Sequence, residues 1–517
     1  MAVSVASVAP QWIRASLEHK DGRDPLGLQT TTQDRLMPAL LPDINELTRR
    51  ARYLSFYAFI LDEYRQANGP LVKSQLSSYL KAREWELGLA VLRCPNQCGS
   101  APVGANKLRR IEFGVEELPR GESVDSVNGG YGLYYRTTMV ALDLSIPAGH
   151  PLGDSVVPID VVSPRERARD LAAAYRSSIA ETDYYTRYWS TTDPIPSVVI
   201  EELAETACLC RLEQFTDERE LLAQAVFVAP DPEVEDATEQ RRRSIAHFLT
   251  VLDTDPTVAQ DNSRFRQLLW DAAEWRSTAH REVADQWAGL VVKDLFQDAL
   301  CSIWTHLLRE GLAAGGLDGL SRDSVDQVLQ RLTAGPPELD PDGLATEQIA
   351  ALKLSSHPEL LRVEIEQADT ATAGLAGLLA VAEIASARDS TAWRTITSEG
   401  SSWQPSVQQV AVDVNRFLQA SPTVTELMRW AVRRYVFGPH ERIAYSKLPD
   451  FTFRFRSGPD GLRFFPLDGR RFILAAIRDS TMTTLTEDLG YQIGYQTGED
   501  PARVTEGGHE FIRQVLG

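Results

Sequence analysis

Apolar residues recur at helical spacing along most of this chain, so the elements they predict are chiefly helices. The stretch 44–66, INELTRRARYLSFYAFILDEYRQ, carries the strongest pattern. Leu47, Ala51, Leu54, Ala58 and Leu61 form one stripe, and Tyr53, Phe56, Tyr57, Phe59 and Ile60 widen it. A helix this apolar is buried on most sides. Asn68-Gly69-Pro70 ends it. Arg49, Arg50 and Arg52 cluster near its start and are expected to be solvated, because charge clusters usually mark exposed ends. A second helix is expected over 71–92. From 177 to 420 nearly every segment has the helical period, with amphipathic stretches at 200–212, 218–227 and 239–252. Residues 263–310 read as a long pair of helices holding Trp270, Trp275, Trp287 and Trp304. Tryptophans on such helices are expected in the core, since base-stacking platforms sit more often on strands and loops. No repeat of 20–50 residues is present, so a solenoid is not predicted.

The period changes in two places. Over 477–517, Met482, Leu485 and Leu489 fit a helix capped by Asp479 or Ser480 and stopped by Gly490. Thr483 and Thr484 lie on its other side. Tyr491, Ile493 and Tyr495 then alternate as a strand, 497–501 turn, and a helix follows over 509–516. Over 128–176 a similar order recurs. Tyr135, Met139 and Leu142 space a helix, Val156 to Val162 reads as a strand that Pro158 interrupts, and Ser163-Pro164-Arg165-Glu166 reads as a capping box. Helix, strand, turn, strand and helix in this order resemble the ends of winged-helix domains, the C-terminal copy more closely than the 128–176 copy. The resemblance implies a mainly α, multidomain protein with winged-helix (α+β) modules near both ends. The segments expected are 1–176, 177–420 and 421–517. The arginine-then-aromatic helix also resembles a segment of bacterial proteins encoded near phage-defence genes.

Composition narrows the function. The chain has 517 residues and a net charge of −19, which disfavours coating nucleic acid with the whole surface. Five cysteines suggest reduced thiols in a cytoplasm. The N-terminal stretch lacks the pattern of a signal peptide, and no apolar run reaches membrane-spanning length, so no membrane partner is expected. The stretch 427–478 departs from the average: eleven Lys and Arg against four acids make it net +7. Within it Phe451-Thr-Phe-Arg-Phe-Arg456 alternates, with aromatics on one face and Thr452, Arg454 and Arg456 on the other. Gly458-Pro-Asp-Gly461 makes the turn of a hairpin.

Candidate chemistry follows. Arginine forks fit phosphate oxygens, so Arg454, Arg456, Arg463, Arg470, Arg471 and Arg478 are expected to contact phosphate. The winged-helix resemblance adds Ser480, Thr481, Thr483 and Thr484 on a groove-entering helix and Arg503 in the wing. Glu487 and Asp488 on that helix oppose this, because phosphate would repel them. The leading reading is a winged-helix protein that binds duplex DNA, a subunit of a bacterial system such as phage or plasmid defence, with protein partners from its operon. The chain is also similar to the kleisin subunits of chromosome-organising ATPases, which implies the alternative of a scaffold docking on proteins. An enzyme with an unrecognised site is the third reading, since catalytic groups can be distant in sequence. No nucleotide loop, nucleophile elbow or zinc-protease motif occurs, and no catalytic residue or cofactor is assigned. His440, alone in the basic stretch, is expected to be structural. Cys94-x-x-x-Cys98 and Cys208-x-Cys210 could supply four zinc ligands. Their spacing matches neither common knuckle and over a hundred residues part them, so the thiols are expected in the core and no metal is assigned. Oligomeric state is left open.

Overall fold

A computed structural model of the protein describes residues 24–517 apart from 97, 112–114, 153–154, 275–277, 316–321, 334–338, 449, 459–460, 466–472 and 496–500. Helices hold 65% of the residues and strands 6%, so the mainly helical class stands. Among the described residues no helix is long and apolar enough to cross a membrane. The chain divides into two compact units that interleave in sequence. One takes the segment ending at Ala39 with Ser263–Ala476, the other Leu40–Asn262 with Ile477–Gly517. This division differs from the three consecutive segments expected, because the last forty residues belong to one unit with the residues after Leu40.

The first unit is built on the helix Thr278–Gly315. Val283, Trp287, Leu290, Val291, Leu295, Ile303 and Trp304 are all buried, on every side of its axis. Ala371–Ala387, Pro358–Ala368, Thr391–Thr397 and Arg322–Thr333 pack around it. Trp287 and Trp304 are core residues as expected and Trp270 is half-buried, whereas Trp275 lies outside the described residues. The hairpin pairs Phe455–Gly458 with Gly461–Phe464. Phe455, Leu462 and Phe464 turn inward, while Arg456 and Arg463 stay exposed.

The second unit centres on Arg52–Gln66, which packs along Glu166–Ile179. The helix starts eight residues later than expected, and 44–51 are irregular, with turns only at 46, 47 and 51. Its arginines correct a second expectation. Arg49 is exposed, but Arg50 is buried and Arg52 is fully enclosed. A helix whose aromatic residues meet protein on nearly all sides leaves no wet face for them. Lys73–Leu92 packs against Ser197–Ala207 nearby.

The C-terminal stretch forms the helix Asp479–Asp488, the strand pair Gln492–Ile493 and Arg503–Val504, and the helix Glu506–Leu516. Gly490 provides the stop at φ +80°. Neither Asp479 nor Ser480 caps the first helix; Arg478, at φ 59°, precedes it. Thr505 caps the last helix by accepting from the Gly508 N–H at 3.1 Å. Gly508 also allows close approach, since a Cβ there would lie 2.2 Å from the Tyr491 carbonyl oxygen. Most of the turn at 497–501 lies outside the described residues. In the 128–176 stretch the expected strand is two short ones, Ser155–Val156 and Val161–Val162, with Pro158 between them. The capping box there does not form. The helix begins at Glu166, and the Ser163 hydroxyl donates to Asp143 at 3.0 Å.

Candidate metal centre and the predicted nucleic-acid residues

Two helices of the second unit end side by side, and a cysteine pair follows each. Cys94 and Cys98 come after Lys73–Leu92, and Cys208 and Cys210 come after Ser197–Ala207. The fold brings all four sulfurs within 4.8 Å of one another. Sγ separations are 3.5 Å for Cys94–Cys210, 3.7 Å for Cys98–Cys208 and 3.6 Å for Cys208–Cys210. Disulfides need about 2.05 Å, so these are four thiols facing a common centre. Cys94 and Cys208 are buried, and Cys98 and Cys210 half-buried. Two of the four are in the core as expected, and the fold gathers all four despite their separation in the chain. Distance along the chain is no guide once two packed helices place their ends together.

Buried arginines hold this corner. The Arg52 guanidinium donates to the carbonyls of Thr206 and Cys208, both at 2.6 Å, and pairs with Glu218 at 3.1 Å. Arg50 donates to the Ser100 hydroxyl, which lies 3.4 Å from Cys98 Sγ. Arg50 Nε also donates to both Asp488 oxygens, at 3.1 and 3.0 Å, and the same carboxylate accepts the Ala51 N–H at 2.8 Å. Burial works against the Arg50 charge, and Asp488 more than offsets it, so the guanidinium is held above its usual value.

The residues expected to meet nucleic acid scatter. Thr481 and Thr483 are buried, and the Thr481 hydroxyl donates to the Glu46 carbonyl at 2.7 Å. Ser480 and Thr484 are half-buried, and Thr484 donates to the Arg49 carbonyl. Arg478 is buried, donating to the carbonyls of Leu41 (2.8 Å) and Ile44, and burial pushes it down to about 10. The helix Asp479–Asp488 is thus an internal packing element rather than a groove reader, and Asp488, seen earlier only as a repulsive charge, is an internal ion-pair partner. Arg454 is buried as well. Its backbone N–H donates to His440 Nε2 at 3.0 Å, so the aromatic alternation does not set its side chain on a wet face. Arg456 and Arg463 are exposed and directly opposite in the hairpin register, and Arg503 is exposed in the other unit. Arg470 and Arg471 lie outside the described residues.

His440 is enclosed, with Nδ1 3.2 Å from the Pro25 carbonyl oxygen. Because Nε2 accepts, Nδ1 carries the proton and the ring is neutral; burial pushes its pKa down to about 3. The first unit also has a cleft of about 620 Å³ beside the stacked rings of Phe417 and Trp430, with Arg429, Arg433 and Arg434 on its wall. No family model, curated protein or solved structure matches this chain.

Proposed function

We propose that this cytoplasmic protein binds nucleic acid through phosphate contacts that do not depend on sequence, made by the hairpin of the first unit. The observation that carries this reading is the Arg456–Arg463 pair. The two residues are exposed and face each other across the strands, with no carboxylate partner among the described residues. Like charges directly opposite destabilise a hairpin, and an anionic ligand removes that cost. Arg433, exposed on the cleft, supports the same reading. We retain the winged-helix reading of residues 477–517 for the order of elements alone, and base reading is not assigned to its buried helix.

The test is binding of the full chain to two unrelated duplexes across a salt series. Wild type should bind both alike, and Arg456→Ala with Arg463→Ala should flatten the log–log salt slope by about one unit per lost contact. No binding by the wild type at low salt would end this reading. It would leave the alternative of a scaffold that docks on proteins.

A further inference from the structure

The geometry points to a structural zinc centre at Cys94, Cys98, Cys208 and Cys210, one ion per chain, that clamps the ends of two helices of the second unit.

Size is the first argument. Zinc–thiolate bonds of about 2.3 Å in a tetrahedron set the sulfurs about 3.8 Å apart. Three of the separations, 3.5 to 3.7 Å, fall just inside that edge, and the widest lies within 4.8 Å. The enclosed space suits one ion. An iron–sulfur cluster would hold its cysteines at outer corners, farther apart. Chemistry is the second argument. Four soft thiolates select zinc over the hard cations, and a full set of four protein ligands is the closed arrangement of structural rather than catalytic sites. Cys94-x-x-x-Cys98 falls within the range of zinc pairs and Cys208-x-Cys210 does not, so the fold rather than the spacing assembles the set.

The surroundings are the third argument, because metal ligands are normally oriented by partners of their own. Arg52 holds the Cys208 carbonyl, and the Ser100 hydroxyl, itself held by Arg50, sits beside Cys98 Sγ. Arg93 and Glu201 form an ion pair between the same two helices. The ion pair already joins these two segments, 108 residues apart, and the clamp adds a second cross-link made of metal–thiolate bonds. Zinc binding requires deprotonated thiols, so loading releases protons and couples to folding of this corner.

Metal analysis of the purified full chain should find one zinc per molecule. Replacing it with cobalt should give the thiolate-to-metal charge-transfer and ligand-field bands of a tetrahedral thiolate site. A thiol reagent should find four cysteines protected until the metal is released. Cys98→Ser and Cys210→Ser, at the half-buried ligands, should each lose stoichiometric zinc. Ser100→Ala keeps every ligand and should weaken zinc about tenfold in competition with a chromophoric chelator. Should the cysteine variants fail to fold, the wild-type cobalt spectrum and thiol count decide. Wild-type chain with no stoichiometric metal and four freely reacting thiols would overturn the proposal, and so would stoichiometric iron in place of zinc.

Discussion

Asp488 is where a single substitution should tell most about the second unit. Its carboxylate takes two bonds from Arg50 Nε and one from the Ala51 N–H, at the start of the helix Arg52–Gln66. Side-chain exposures of 8% and 3% place the ion pair out of water. Breaking a buried pair from one side strands the other charge, at a cost of about 3–5 kcal/mol. Asp488→Ala should therefore destabilise the second unit by roughly that amount, the lost N–H partner adding about 1 kcal/mol. Replacing both partners, Arg50→Met with Asp488→Leu, removes the stranded charge and should cost clearly less than the single change. The assay is denaturant unfolding of wild type, both single variants and the double, with the transition of this unit followed separately because two units need not unfold together. A coupling energy near zero, or an Asp488→Ala cost below about 1 kcal/mol, would mean that the pair is solvated and the packing described here is wrong.

Three further outcomes follow from buried groups. His440 is held neutral with its pKa pushed down to about 3, so below the unfolded value of about 6.5 only the unfolded chain takes up its proton. Stability of the first unit should then fall by about 1.4 kcal/mol per pH unit as pH drops from about 6.5, or about 2 kcal/mol by pH 5. His440→Gln should lack that share; Arg454 and Lys447 are the charges near the ring, and equal pH slopes in the two proteins would refute the assignment. Leu485 is fully buried, so Leu485→Ala should cost roughly 2–5 kcal/mol in urea unfolding. Thr483→Ala, harmless if its side were solvated, should cost about 1 kcal/mol, because the residue is buried and its hydroxyl donates to the Asp479 carbonyl at 2.8 Å. An unchanged midpoint for Thr483→Ala would restore the two-sided helix.

Local signals were legible, and distant pairings were not. The helical period located Arg52–Gln66, Lys73–Leu92 and Glu235–Thr254, and the glycine at 490 marked a real stop. The partners of Arg52 and Arg50 lie 166 and 438 residues away, beyond any periodicity. Yet a warning stood in the same helix. A stripe widened by five further apolar residues has no wet side, so an arginine inside it must find partners within the protein. The cysteines carried a comparable hint, since each pair follows directly on a helix and packed helices bring their ends together. The alternation at 451–456 failed for a related reason. Arg454 has the phase of a solvent face, but its backbone is bound to His440 in the core, and the regular ladder begins only at Phe455.

What remains of the basic stretch bounds how strongly it can hold phosphate. Its net +7 is a property of sequence and not of surface. Arg478 and Arg454 are buried, Arg434 pairs with Asp413 at 2.7 Å, Arg429 with Asp326 at 3.4 Å, and Arg442 donates to the Trp403 carbonyl at 3.1 Å. Lys447 is half-buried, so among the described residues Arg433, Arg456 and Arg463 are left exposed with neither a carboxylate nor a carbonyl partner. Three phosphate contacts give a log–log salt slope near −2.7, and Arg470 and Arg471 would raise the ceiling to about −4.5. A steeper slope requires cations from outside this stretch, such as Arg503 in the other unit. With −19 overall repelling the polyanion, so few contacts support binding that is weak, salt-sensitive and blind to sequence. Such binding gains specificity only through a partner or a second site, so a shallow slope for the free chain and a tight complex with a protein partner would be consistent with each other.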